Sequence, residues 1–137
     1  LSQSRAELME AELKMWTALG IDIISISRLQ NLSPRAKAKI FSPRELEQCQ
    51  IGTEQRQAER MAGKFAAKEA VLKVLQTGKS AGIKWHEVEV LNKANGAPQV
   101  FLSGKALEIA QIQKKEKILV SIAHEGGQAV AIAGTSA

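Results

Sequence analysis

Two carboxylates in unusual positions are the first candidates for chemistry in this sequence. Asp22 interrupts an apolar, β-branched run at residues 19–26, where a charge is costly unless it is paired or binds a metal. Glu69 follows Phe65 by four residues in a long helical pattern, so we expect its carboxylate beside the apolar stripe. Together they suggest a hard-cation site, because Mg²⁺ prefers oxygen ligands and commonly takes one or two carboxylates, water and substrate phosphates.

Each carboxylate also has a purely structural interpretation. Glu69 can form an ion pair with Lys73 at i+4, worth about 0.3–0.5 kcal/mol, and spacing alone favours that pair over a metal ligand. Asp22 can be a strand-end or bulge residue that hydrogen bonds to the backbone, and the pattern leaves this alternative open.

The long helical pattern also carries a ladder of cations. Its members at i+4 spacing, on a common side, are Arg56, Arg60, Lys64 and Lys68, and Lys73 follows. Such a ladder can be a solvated face or can hold a polyanion such as a pyrophosphate. The run T-G-K-S at residues 77–80 is not a phosphate-binding P-loop, because it follows a helix and Lys73 stands where the first glycine is required.

The remaining reactive residues do not by themselves indicate a catalytic or metal site. His124, at the end of a strand pattern, can bind phosphate or be structural, and alone it favours the structural role. Ser121 and His124 are not a nucleophile pair, because neither an elbow motif nor an orienting acid accompanies them. Two histidines and one cysteine cannot build a Cys/His zinc site, so we interpret His86 and Cys49 as incidental.

Strands and helices that must position these residues alternate irregularly along the chain. Strands are predicted at residues 19–26 (buried), 84–91, 99–102, 117–123 and 128–133, with a hairpin turn at Asn95-Gly96 and a loop at residues 124–127. Helices are predicted at residues 34–40, 43–50, 54–76 and 104–113, with Ser33, Ser42 and Ser103 as N-caps and Glu45 completing a capping box. This order predicts an α+β fold, a mainly antiparallel sheet packed against one long helix and shorter helices.

Composition restricts the partners and the compartment. The 137 residues predict one domain at 18–137, preceded by a weakly amphipathic, helical extension at 1–17 that does not read as a signal peptide. No segment approaches the roughly 20 apolar residues of a membrane span. A single cysteine, Cys49, favours a reducing, cytoplasmic compartment.

The positive charge is concentrated in one segment. The net charge is +5, and residues 28–44 contain five basic residues and no acidic one. This segment is a solvated face or a docking surface for an acidic macromolecule. Nucleic acid is disfavoured, because only 4% of the residues are aromatic and none is tyrosine, which leaves few platforms for base stacking.

Several motifs, taken together, resemble one enzyme family. They are G-I-D-I-I-S-I-S-R-L (residues 20–29), I-F-S-P-R-E-L (40–46), R-M-A-G-K-F-A-A-K-E-A-V-L-K (60–73), N-G-A-P (95–98) and S-I-A-H (121–124). In this order, over about residues 19–133, the chain resembles the holo-acyl-carrier-protein synthases, short single-repeat 4'-phosphopantetheinyl transferases. Lys64 and Ala97 depart from the family pattern, which commonly has basic Arg at the first position and a basic residue at the second, and Ser25 stands where an acidic residue is frequent.

The resemblance implies an activity. Members transfer the 4'-phosphopantetheine arm of coenzyme A to a serine of an apo acyl carrier protein, releasing adenosine 3',5'-bisphosphate, a step that serves fatty acid biosynthesis. It implies Asp22 and Glu69 as Mg²⁺ ligands and Lys73 beside the reacting phosphate. The general base stays open between a metal-bound water, Asp22 and a carboxylate of the partner.

The resemblance also implies binding surfaces. Coenzyme A phosphates would be held by Arg56, Lys64 and His124, and the acidic carrier protein would be gripped by Arg28, Arg35, Lys39 and Arg44. Short members of the family form homotrimers with active sites shared between subunits. The alternative is a non-catalytic basic module that binds carrier protein or nucleic acid.

Overall fold

The computed structural model describes residues 4–8, 18–76 and 82–135. The strands are β1 (Ala18–Ser25), β2 (Val88–Asn92), β3 (Pro98–Leu102), β4 (Ile118–Glu125) and β5 (Gln128–Thr135). The helices are α1 (Ile26–Gln30), α2 (Pro34–Ile40), α3 (Pro43–Cys49), α4 (Glu54–Leu75) and α5 (Gly104–Gln113). Residues 5–8 form one helical turn, and the rest of the helix predicted at 1–17 lies outside the described residues, as does the T-G-K-S run.

The strands form two antiparallel sheets. One has three strands in the order β1-β5-β4, and the other is the β2-β3 hairpin. Helix α4 packs across one face of the three-stranded sheet, and its side chains supply much of the buried core. The predicted α+β class is therefore confirmed. Among the described residues, no helix has the length and apolar character that crossing a membrane requires.

Small residues allow α4 to lie close to the sheet. On β5, Ala129, Ala131 and Ala133 alternate toward the helix and are at most 1% exposed. On β1, a Cβ atom at Gly20 would lie 2.2 Å from the backbone oxygen of Ala70, far inside van der Waals contact. The glycine before Asp22 is therefore required for the approach of β1 to the helix.

Two of the three predicted N-caps are confirmed. The Ser33 hydroxyl accepts a hydrogen bond from the backbone N–H of Ala36 at 3.1 Å, and Ser42 and Glu45 form the predicted reciprocal capping box. Ser103 makes no side-chain cap. Instead, the Glu87 carboxylate accepts the backbone N–H of Ala106 at 2.9 Å, so a residue distant in sequence caps α5.

Three strand predictions were wrong in detail. Only one face of β1 is buried, because α4 covers one side of the sheet; on the other side Leu19, Ile21 and Ile23 are each 60% exposed. Residues Trp85–Glu87 form a 3₁₀ turn, so the predicted strand at 84–91 begins at Val88. His124 belongs to β4, because the connection to β5 needs only residues 126 and 127.

Replacing Gly20 by alanine tests the close approach. Because the new methyl group would collide with the Ala70 backbone carbonyl, we expect Gly20→Ala to lower the free energy of unfolding by about 2 kcal/mol or more, the upper part of the range for overpacking. Urea denaturation measures this loss. The control is Gln128→Ala at the exposed start of the neighbouring strand β5, with an expected change below about 0.5 kcal/mol; equal effects of the two substitutions would contradict the collision.

Candidate active site

Strand β1 and helix α4 bring two of the predicted catalytic residues into direct contact. The Lys73 ammonium group donates hydrogen bonds to the backbone oxygen of Ile21 at 2.7 Å and to Oδ1 of Asp22 at 3.2 Å. Asp22 is mostly buried, with 18% of its side chain exposed, whereas the Lys73 side chain is 52% exposed. Asp22 is thus neither a bulge nor a strand-end residue. It lies two residues after Gly20 on the face of β1 that packs against α4.

Glu69 lies one helical turn before Lys73 on α4 and is half-buried. A helical turn advances about 5.4 Å, so the Glu69 carboxylate, the Lys73 ammonium and the Asp22 carboxylate share one region of the surface. Two carboxylates from separate elements are a donor set of the kind that Mg²⁺ takes, with the remaining positions left to water and phosphate oxygens. Within the described residues, no cluster offers three or more His, Cys, Asp or Glu side chains to a metal.

His124 of β4 contacts α4 at a second point. Its Nε2 is 2.9 Å from the backbone oxygen of Glu59, so the bond requires a proton on Nε2. A Cβ at Gly63 would come within 3.0 Å of the ring, and the missing side chain there makes room for the histidine. Beside the ring is a cavity of about 170 Å³, lined in part by Arg60 of α4 and by Gly96 and Pro98 of the hairpin.

The other predicted phosphate ligands are in different surroundings. Arg56 is exposed in the first turn of α4, thirteen residues before Glu69, or about 20 Å along the helix axis. Lys64 is only 3% exposed, and its ammonium group donates to Gln48, Asn92 and the backbone oxygen of Val90 at 2.7–2.8 Å. All three of its N–H groups therefore face protein oxygens, and burial lowers the pKa of Lys64 from its ordinary 10.5.

The cation ladder on α4 is not solvated throughout. Arg56 is exposed, but the two lysines of the ladder are buried and bind protein groups, so the ladder is not one continuous anion site. Lys68, like Lys64, is buried; its ammonium group pairs with the buried Glu45 carboxylate at 2.7 Å and donates to two backbone oxygens. Sequence patterns indicated neither Glu45 as the charge partner of Lys68 nor Gln48 as a hydrogen-bond partner of Lys64. Glu45 has a complete local explanation as the capping-box residue of α3. No sequence pattern therefore indicates its ion pair with Lys68, 23 positions later.

The basic segment forms a surface on α1, α2 and α3. Arg28, Arg35 and Lys39 are exposed, and no ion pair between described residues engages them. Arg44 differs, because its guanidinium forms an ion pair with both oxygens of Glu89 and lies 5.8 Å from the centre of the Phe101 ring. Arg44 thus differs from the other three predicted docking residues, because it already forms an ion pair with a carboxylate of its own chain.

Comparison with known proteins places these residues in a family. Residues 18–133 match the family described as the 4'-phosphopantetheinyl transferase superfamily, and the chain belongs to that superfamily. Within it, the chain is of the holo-[acyl-carrier-protein] synthase family. A holo-[acyl-carrier-protein] synthase of Geotalea daltonii is 39% identical over 117 residues, covering 82% of this chain and 92% of the relative.

Two further comparisons agree. A holo-[acyl-carrier-protein] synthase of Desulforudis audaxviator is 40% identical over 124 residues, covering 87% of this chain and 92% of the relative. The crystal structure of Helicobacter pylori holo-[acyl-carrier-protein] synthase in complex with coenzyme A superposes with a TM-score of 0.72 and 30% identity, covering 86% of this chain and 99% of that one. The resemblance stated from the motifs is confirmed, as is the identification of the chain as an enzyme of this family.

The ion pair of Arg44 and Glu89 makes stability depend on pH. The hydrogen bond from Arg44 holds the pKa of Glu89 below its ordinary 4.5, against the opposing effect of burial. A carboxylate with a depressed folded-state pKa contributes stability above the unfolded-state value and loses it as pH falls through the folded-state pKa. We therefore expect Glu89→Gln to lower the free energy of unfolding more at pH 7 than at about pH 3.5.

Urea denaturation at the two pH values measures this difference. Glu47→Gln, which alters an exposed carboxylate on α3, is the control and should show no comparable dependence on pH. An equal loss of stability at both pH values in Glu89→Gln would contradict the ion pair.

Proposed function

We propose that this protein transfers the 4'-phosphopantetheine arm of coenzyme A to a serine hydroxyl of an apo acyl carrier protein, with Mg²⁺ held by Asp22 and Glu69. The observation that supports this most is the contact between Lys73 and Asp22, one helical turn from Glu69, in a chain of this family. The structure of a relative bound to coenzyme A supports the choice of donor. We further propose fatty acid biosynthesis as the setting and the cytoplasm as the compartment, to which the single, buried Cys49 is suited.

The reaction exchanges one phosphorus–oxygen bond for another. The serine oxygen bonds to the phosphorus that carries pantetheine, the bond from that phosphorus to the bridging pyrophosphate oxygen breaks, and adenosine 3',5'-bisphosphate leaves. A bound Mg²⁺ supplies positive charge that offsets the charge developing on the pyrophosphate oxygens. Asp22 and Glu69 hold the ion in place through their carboxylates.

The cationic side chain of Lys73 has two roles in this reaction. Its ammonium group donates to Ile21 and Asp22, which orients it at the carboxylate. With 52% of the side chain exposed, it can also turn a donor toward a phosphate oxygen of the substrate. The serine proton passes to a base, for which Asp22 and a carboxylate of the carrier protein are the candidates among side chains.

Phosphates farther from the reacting bond need other cations. We propose that His124 and Arg56 hold coenzyme A phosphates. Because the Nε2–H of His124 is donated to the backbone oxygen of Glu59, His124 would bind phosphate as the imidazolium, by donating its Nδ1–H. Lys64, predicted as a third phosphate ligand, could serve only by giving up one of its three hydrogen bonds to protein oxygens.

The acidic carrier protein would dock on the exposed basic residues. Arg35 and Lys39 lie four residues apart on α2, on one side of a helix that buries no residue, and Arg28 lies in the last turn of α1. Charges on such a rim mainly raise the association rate and the specificity. Arg44 would take part by exchanging its own Glu89 for a carboxylate of the partner.

A transfer assay tests the function. The protein is incubated with apo acyl carrier protein, coenzyme A and Mg²⁺, and the carrier is weighed by mass spectrometry for the added arm. We expect Asp22→Asn and Glu69→Gln each to lower kcat/KM by about 10² or more, because each removes a carboxylate ligand, and a chelator to abolish transfer. Glu116→Gln, an exposed carboxylate before β4, is the control and should retain activity.

Two results would contradict the proposal. No mass gain with any of several apo carriers would exclude the transferase, and full activity in both Asp22→Asn and Glu69→Gln would exclude the metal site. Binding of carrier protein without any binding of coenzyme A would favour the non-catalytic module.

The uncovered face of the three-stranded sheet supports the proposed homotrimer. Its exposed apolar side chains are Leu19, Ile21, Ile23, Leu119 and Ile132, and register places only Val130, Gly134, Ser121 and Ala123 among them. The centre of the face therefore carries no charge, and Glu125 lies at its end, at the last residue of β4. An exposed apolar surface of this kind is typical of an interface. Because β1 also carries Asp22, subunits joined here would place one another's residues near the site.

Ile132→Lys tests the assembly, since it places a charge at the centre of this face on β5. We expect light scattering to show a trimer for the unchanged protein and a monomer for the variant, with a loss of transfer activity because the sites are shared. The matched control is Ile112→Lys on α5, at a position 76% exposed and outside the sheet, which should stay trimeric and active. A trimeric Ile132→Lys protein would contradict the interface.

A further inference from the structure

Among the described residues, no strand pairs with the outer edge of β2 in the β2-β3 hairpin. Strand β2 pairs with β3 alone. Beside this pairing, the backbone N–H of Ser103 donates to the backbone oxygen of Glu87, and the backbone N–H of Lys93 donates to that of Ala97. In an antiparallel pair the residues that bond across the ladder alternate, so Val88, Val90 and Asn92 turn their backbone groups away from β3. Unpaired backbone groups at such an edge need other partners.

Four side chains supply those partners. The backbone N–H of Val90 donates to Glu45 Oε2 and that of Asn92 to Gln48 Oε1, both at 2.8 Å. The backbone oxygen of Asn92 accepts from Gln48 Nε2 at 3.0 Å. The backbone oxygens of Val88 and Val90 accept from Lys68 at 2.6 Å and Lys64 at 2.8 Å. We call Glu45, Gln48, Lys64 and Lys68 the edge clamp.

The edge clamp ties three elements together. Glu45 and Gln48 lie three residues apart on α3, and Lys64 and Lys68 lie four residues apart on α4. The members also bind one another, Lys68 to Glu45 at 2.7 Å and Lys64 to Gln48 at 2.8 Å. The two helices therefore act on the hairpin as a neighbouring strand would.

Lys64 occupies the end of the clamp nearest the cavity beside His124. Besides Gln48 and Val90, its ammonium group donates to Oδ1 of Asn92 at 2.7 Å, and the Asn92 amide in turn donates to the backbone oxygen of Gly96 at 2.9 Å. Asn92 and Gly96 line that cavity. A chain of hydrogen bonds thus runs from α4 through Lys64 to the loop that forms the cavity wall.

We propose that Lys64 is a positioning residue: with Gln48 it holds the tip of the β2-β3 hairpin against α4 and so sets the cavity beside His124. Three oxygens converge on one ammonium group. A neutral apolar side chain there would take the Lys64 donor from the Val90 and Asn92 oxygens and would leave Gln48 Oε1 only the backbone N–H of Asn92. If the cavity holds a coenzyme A phosphate, its shape affects coenzyme A binding, and this consequence rests on the proposed function. The positioning of the hairpin does not depend on the proposed function.

Hydrogen–deuterium exchange of the full chain tests the positioning without any activity measurement. Lys64→Met keeps the approximate length of the side chain but removes its donors, so we expect amides of residues 90–97 to exchange at least about tenfold faster than in the unchanged protein. Amides of β5 should exchange at the unchanged rate. Lys93→Met, which removes one positive charge from an exposed position in the hairpin, is the matched control.

A second variant covers the case in which Lys64→Met does not fold. Gln48→Ala leaves every charge in place and removes only the partner on α3, and we expect it to accelerate exchange of the same amides. Unchanged exchange of residues 90–97 in both folded variants, or in Gln48→Ala when Lys64→Met does not fold, would overturn the proposal.

Kinetics separate positioning from direct phosphate binding. We expect Lys64→Met and Gln48→Ala each to raise KM for coenzyme A, and the double variant to raise it no further than the larger single effect, because both act through one clamp. A rise in KM for Lys64→Met with none for Gln48→Ala would show that Lys64 binds the phosphate itself. If no protein shows transfer activity, the proposed function fails while the exchange result stands.

Discussion

The contact between Gly20 and the backbone of Ala70 determines how near β1 lies to α4. Any side chain at Gly20 would meet the helix carbonyl, and the alanines of β5 continue the same close packing across the sheet. This proximity lets the Lys73 ammonium group reach both the backbone and the carboxylate at Asp22. The candidate metal ligands thus come from a strand and a helix that only small residues allow to approach.

Helix α4 uses its cations in several ways because its sides face different surroundings. Lys73 reaches toward β1 and remains half exposed, which suits a group that contacts a charged substrate. Lys64 and Lys68 extend into the protein, where backbone oxygens of β2 and side chains of α3 surround their ammonium groups. A buried ammonium group is stable only when its donors are all satisfied, so these two lysines organise the hairpin.

Much of the local structure could be predicted because its causes are local. Ser33 and Ser42 begin helices through bonds to residues three positions later, and the Asn-Gly pair closes a hairpin, so short sequence windows contain the whole interaction. The cap of α5 could not be predicted, because Glu87 reaches it from a separate element. The exposure of one face of β1 also depends on how many layers cover the sheet.

By itself, the sequence determined the family and the α+β class, because motif identity and hydrophobic period need no knowledge of distant contacts. It also predicted the residues of the candidate site. Only the tertiary structure decided which cations of α4 stay exposed and which bind protein oxygens. Residues at i+4 spacing share one side of a helix, but what packs on that side is set by α3 and β2, brought there from elsewhere in the chain. The same packing gave Arg44 an internal carboxylate and left Arg28, Arg35 and Lys39 exposed.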